Sequence, residues 1–102
     1  MAGTLGICAT NSSALSCLTG ITKAAVRAGK RVKIFITGDA ARFTQNSDFA
    51  KLVAISEVSI CEASYFAAGY KDFGIPGMTD KDFVTQAENA ALVDSCDRYL
   101  LI

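Results

Sequence analysis

Histidine is absent from this chain. Its absence removes Ser-His-Asp triads, Cys-His dyads and His-ligated metal sites from within it. Tryptophan is absent too, and proline occurs once. The four cysteines, Cys8, Cys17, Cys61 and Cys96, include no Cys-x-x-Cys pair. Zinc-ribbon and thioredoxin-type motifs therefore have no support. No apolar run reaches the ~18 residues that suggest a membrane span. No basic stretch leads into an apolar one near Met1, so no signal peptide is expected. Neither sign of charge dominates: 10 basic and 10 acidic residues leave a formal net charge of zero. A nucleic-acid or membrane-surface partner is not expected from that balance.

What is present is apolar. The chain has 102 residues, of which 51% are hydrophobic. The length suits one domain, 1–102, with a core that needs no staples. The apolar fraction exceeds what a short monomer commonly carries, and a homo-oligomer would cover the surplus. The default compartment is cytoplasmic, with thiols reduced.

The pattern along the chain alternates strand and helix. Leu5 to Thr10 reads as a buried strand, and Asn11-Ser12-Ser13 offers helix-capping side chains. Ala14, Cys17, Leu18, Ile21, Ala25 and Ala28 form an apolar stripe at helical spacing over Ala14 to Ala28, which places Cys17 in the core. Gly29 ends that helix. Arg31 to Thr37 is a second strand, broken by Gly38. Asp39 to Asn46 reads as a loop with room for one helical turn. Ser47 is placed to cap a short helix from Asp48 to about Ile55.

Val58 to Cys61 is a third strand, followed by a short helix from Glu62 to Ala68. Tyr70 to Met78, with two glycines and the proline, is a loop. Thr79 and Asp82 make a loose capping box for a last helix, with Phe83, Ala87, Ala90 and Ala91 as its buried face. Arg98 to Ile102 closes the pattern as a strand. The expected fold is α/β: a single-domain three-layer sandwich with a mostly parallel sheet of four or five strands.

Open parallel sheets bind ligands beyond the carboxyl ends of their strands. Thr10, Asn11, Thr37, Gly38, Glu62 and Ser64 are the pocket-lining candidates there. Cys61 is the candidate for chemistry. It ends a strand and precedes a helix, where backbone donors favour a thiolate; the competing reading is a core cysteine. Cys8 is an auxiliary thiol if the first and third strands are neighbours, and core filler otherwise. Cys96 precedes the last strand, roughly 15 Å from the edge that holds Cys61. That is too far for a disulfide, which needs Cα atoms within ~7 Å. Thr37-Gly38-Asp39 has the composition of a weak anion cradle, and an ordinary turn is the preferred reading. Arg42, Lys71 and Lys81 read as solvated surface. No metal and no cofactor is expected.

Four segments in order carry a resemblance. They are Leu5–Asn11 (LGICATN), Val32–Gly38 (VKIFITG), Val58–Gly69 (VSICEASYFAAG) and Ser95–Ile102 (SCDRYLLI). Together the chain resembles the DsrE/DsrF-like family, which includes sulfur-relay subunits of the TusD type. The resemblance implies a compact α/β sandwich assembled into trimers or hexamers. It implies a sulfur carrier, a possible sulfurtransferase, that holds sulfane sulfur as a persulfide on Cys61. Sulfur-donor and sulfur-acceptor proteins would be its partners. Such exchange needs one accessible thiolate and neither histidine nor metal. The alternative is a non-catalytic oligomeric binding or assembly subunit of the same fold. A thiol peroxidase-like protein is a weaker third reading, since no motif fixes an arginine beside Cys61.

Overall fold

Leu5, Ile7 and Ala9 alternate with Gly6 and Cys8, and Thr4–Ala9 forms strand β1. The computed structural model describes residues 3–102. Helix α1 (Leu15–Arg27) and strand β2 (Arg31–Ile36) follow. A 3₁₀ run (Gly38–Gln45) leads to helix α2 (Ser47–Val53), strand β3 (Glu57–Cys61) and helix α3 (Glu62–Ala67). A single 3₁₀ turn (Asp80–Asp82), strand β4 (Phe83–Val84), helix α4 (Ala87–Ser95) and strand β5 (Arg98–Leu101) complete the chain. All pairings are parallel, in the order β4-β3-β2-β1-β5. The fold is a three-layer α/β sandwich. Its radius of gyration, 12.5 Å, is that of one compact body of this length.

Strand alternation sorts the core into two clusters, one on each face of the sheet. Ile7, Val32, Ile34, Ile36, Val58 and Ile60 point towards α1 and α2, where Leu18, Phe49 and Leu52 meet them. Cys8, Phe35 and Cys61 point the other way, under Leu92 of α4. Gly6 lets α4 close on that second face. A Cβ at Gly6 would stand 2.8 Å from Cys96 Sγ and 3.0 Å from a Leu92 methyl.

Several expectations are corrected. The last helix does not run from Thr79. The Thr79–Asp82 capping box closes only one 3₁₀ turn, and Phe83–Val84 pairs with β3 as an edge strand. Phe83 is buried there because β3 offers an unpaired edge, which no local pattern announces. Ala87, Ala90 and Ala91 are exposed. Helix α4 lies alone on its face of the sheet, so a single row of its side chains meets the core. Cys17 is exposed as well. It lies about 100° around the helix from Leu18, outside the narrower stripe that touches the sheet.

Local caps shift by a residue or two. Asn11 Oδ1 accepts from Ser13 N–H and Oγ, in a turn before α1, and supplies no cap. The cap of α2 is Asn46, whose Oδ1 accepts from Asp48 N–H, so Ser47 is the first helical residue. The expected loop Asp39 to Asn46 is mostly 3₁₀ and buries Ala40, Ala41, Phe43 and Thr44.

Helix α1 carries one cost. Thr22 is fully buried and its hydroxyl has no partner. A buried hydroxyl without a hydrogen bond is destabilising. Thr22→Val keeps the shape and removes the polar atom. It is expected to raise the unfolding free energy by about 1 kcal/mol in urea titration; a loss of stability would mean that the hydroxyl has a partner in solution.

Candidate functional site

Three strand ends build the site. Strand β2 ends at Ile36 and places Thr37 and Gly38 at the carboxyl edge. Strand β3 ends at Cys61, which is also the N-cap residue of α3. Strand β4 leads through Thr85 to Gln86, the N-cap residue of α4. Because β4, β3 and β2 are neighbours in that order, Cys61 lies between Gln86 and Thr37.

The polar contacts form one network. The Gln86 side-chain amide donates to Thr37 Oγ1 at 2.8 Å and to Cys61 Sγ at 3.5 Å. Gly38 N–H donates to Ser64 Oγ at 2.9 Å. The Thr37 and Ser64 hydroxyls stand 3.3 Å apart. Gly38 is left-handed, with φ +59, and this turn aims its N–H at Ser64. Each hydroxyl already accepts a hydrogen bond, Thr37 from Gln86 and Ser64 from Gly38. Their own protons are thus free to donate, and the pair between them uses at most one.

The sulfur receives what is left. Cys61 is 4% exposed. Burial is the largest single influence on its thiol and pushes the pKa up. The Ser64 hydroxyl, the Ser64 N–H, the Thr37 hydroxyl and the Gln86 amide act against burial. Together they bring the thiol below its ordinary value. The Ser64 N–H does not close a full capping bond. Helix α3 has only six residues, so neighbouring donors rather than a long helix favour the thiolate.

The other expected site residues divide. Thr37, Gly38 and Ser64 meet at Cys61 as just described. Glu62 is exposed and is not among the groups that act on the Cys61 thiol. Thr10 is occupied elsewhere: its N–H and its hydroxyl both donate to the Ile102 carbonyl, at 2.8 Å and 3.0 Å. Asn11 holds Ser13. Neither joins the Cys61 network.

Cys8 does not approach Cys61. Strand β2 runs between β1 and β3, and Phe35 fills the gap. Cys8 pairs with Phe35 and Phe35 with Ser59, so Cys61 lies two strands across and two residues on. That is about 12 Å between Cα atoms. Burial pushes the Cys8 thiol up, and a hydrogen bond from Tyr99 only partly offsets it. All four cysteines are free.

Gln86 is the site residue that the sequence did not reveal. The one signal was its place just after an apolar Phe-Val pair, which is too short to read as a strand. Among the described residues, no group of three or more His, Cys, Asp and Glu side chains could hold a metal ion. No described helix is long and apolar enough to cross a membrane. A separate groove of about 350 Å³ runs along the α4 face of β2 and β3, with Lys33 and Ser59 in its floor and Glu88 and Ser95 on α4 above. No family, curated protein or solved structure matches this chain.

Proposed function

We propose that the protein is a sulfur carrier with Cys61 as its persulfide-bearing thiol. The supporting observation is the set of donors around the Cys61 sulfur at the carboxyl edge of the sheet. In the loading step, the Cys61 thiolate attacks the outer sulfur of a donor's persulfide. The donor's S–S bond breaks and the donor leaves as a thiolate with the electron pair. In the delivery step, an acceptor thiolate attacks the terminal sulfur on Cys61, and Cys61 leaves as a thiolate. No net oxidation occurs in either step. The same donors stabilise the thiolate as nucleophile and as leaving group, and neither step requires a general base once the thiolate is present. The partners are a sulfur-donor protein and a sulfur-acceptor protein. The test is intact mass after incubation with a low-molecular-weight persulfide. A gain of one sulfur atom, mapped to Cys61, is expected; no gain on any cysteine would overturn the reading.

A specific observation favours a second reading, a non-catalytic assembly subunit. The outer side of α4 shows Ala87, Ala90, Ala91 and Val93, and the edge strand β5 exposes Leu101 on the α4 face of the sheet and Leu100 on the opposite face. Leu101 is 66% exposed, which is unusual for a large apolar side chain at the edge of a sheet. Covering this surface in a homo-oligomer, a trimer or hexamer, would be expected to bury over ~1,200 Å² in total at a stable contact. Sedimentation at micromolar concentration is expected to show that assembly. A monomer at neutral pH would remove it from either reading. An oligomer that takes up no sulfur would favour the second.

A further inference from the structure

We propose that Gln86 is a specificity-determining residue: its side chain bridges the Cys61 sulfur and filters by width the reactants that reach it. The inference builds on Cys61 as the reacting thiol, and the strand order carries it. Gln86 follows β4 and Thr37 follows β2, while Cys61 ends β3 between them. A side chain that starts beside one strand and is tied to the next but one must cross the strand between. The tie is the 2.8 Å hydrogen bond to Thr37 Oγ1, and the crossing brings the same amide 3.5 Å from Cys61 Sγ.

Burial agrees with that crossing. Cys61 is 4% exposed although it stands at the open edge of the sheet, whereas Gln86 itself is exposed. The sulfur is thus covered from outside by a side chain in contact with water, which can rotate away without moving backbone. Inside, Phe35 from the neighbouring strand and Leu92 from α4 pack in the same buried cluster as Cys61. With the bridge closed, only a thin reactant has a path to the sulfur. A linear sulfane chain, such as a persulfide on an extended side chain, fits that description better than a branched or aromatic disulfide. Gln86 also donates to the sulfur, so opening the bridge costs the thiolate one donor. Access and activation therefore oppose each other, and a test must separate them.

The experiment compares two alkylation rates at Cys61, read by peptide mass. One reagent is small (iodoacetamide) and the other is broad (an aromatic maleimide). The thiolate fraction scales both rates alike and cancels in their ratio, and nucleophilicity changes only weakly with thiol basicity, so the ratio reports chiefly access. In Gln86→Ala, the broad-to-small ratio is expected to rise roughly fivefold, the factor that one neutral hydrogen bond contributes to an equilibrium. Thr37→Val, which releases the tie and leaves Gln86 in place, is expected to raise the ratio in the same direction. Gln86→Glu keeps the length and can accept from the Thr37 hydroxyl. It is expected to slow both reagents and leave the ratio near the wild-type value. An unchanged ratio in both Gln86→Ala and Thr37→Val, with a native melting profile, would overturn the proposal. A raised ratio in a protein that takes up no sulfur would uphold the filter and reject the carrier reading.

Discussion

In a Cys17→Ser background, which removes the one exposed thiol, Cys61→Ser is expected to lose sulfur uptake completely, while Cys8→Ser and Cys96→Ser each keep it. Serine conserves the shape of the site, so loss of uptake would reflect the sulfur and not the fold. The four thiols differ in the two properties that uptake needs, a thiolate and a path to it. Cys8 is 2% exposed and burial raises its thiol, so it lacks both. Cys96 is half-buried at the end of α4, with its sulfur over Gly6 near the amino edge. Cys17 has the path and no network of donors around it. Only Cys61 stands among four donor groups. Uptake retained by Cys61→Ser, or lost in Cys96→Ser with a normal fold, would move the chemistry elsewhere.

Alkylation of Cys61 has a pH dependence whose sign follows from its lowered pKa. A thiol with a lowered pKa stays ionised to lower pH than an ordinary one. Alkylation of Cys61 should therefore reach its plateau at lower pH than alkylation of free cysteine. Ser64→Ala removes a donor, so the profile should move up in pH and the rate at neutral pH should fall. The groups that bear on this titration are Thr37 just after β2, Ser64 on α3 and Gln86 ahead of α4; Glu62, the carboxylate next in the chain, is exposed. Cys17 is exposed and so open to the same reagents. The measurement therefore belongs in a Cys17→Ser background.

Phe83→Ala is expected to have the largest effect on stability, a loss of about 3–5 kcal/mol on urea unfolding. Phe83 is 6% exposed and stacks on Phe73 with ring centroids 4.2 Å apart. It also meets Tyr65 edge-on at 4.8 Å. Tyr65 in turn donates to the Asp72 carbonyl and contacts Tyr70. These rings tie α3, the loop from Tyr70 to Met78 and β4 together. Strand β4 has only two residues to hold it by backbone pairing, so the aromatic contacts must supply most of its attachment. A small domain commonly has 5–15 kcal/mol of stability, so the expected loss is a large share of the whole. Gln86 lies three residues beyond Phe83, and looser attachment of β4 should also raise access to Cys61. A loss under about 1 kcal/mol would show that β4 is held by other contacts.

The strands β1, β2, β3 and β5 were legible because each carries its own signal within a few residues. Leu5-Ile7-Ala9 and Val32-Ile34-Ile36 alternate, and Gly29 and Gly38 break the chain where left-handed backbone is needed. The place of Cys61 at the end of a strand, with Ser64 close in the chain, was legible for the same reason; that Thr37 and Gly38 face it was not, because that follows from β2 and β3 being neighbours. Helix faces were less so. Cys17 and Ala28 fit a helical spacing, and so did Ala87, Ala90 and Ala91, but how much of a helix is covered depends on what packs against it.

By itself, then, the sequence determined an α/β chain with a cysteine at one strand end and no histidine to assist it. The tertiary structure decided which strands are neighbours. It inserted β2 between Cys8 and Cys61, and so parted two thiols that a different strand order would have joined. It also brought Gln86 to a sulfur 25 residues away, through a two-residue strand with no readable period. Hydrophobic alternation is a local property of the backbone and is written in adjacent residues. Strand order is set by which apolar faces and open edges meet across the chain, and those faces look alike in sequence.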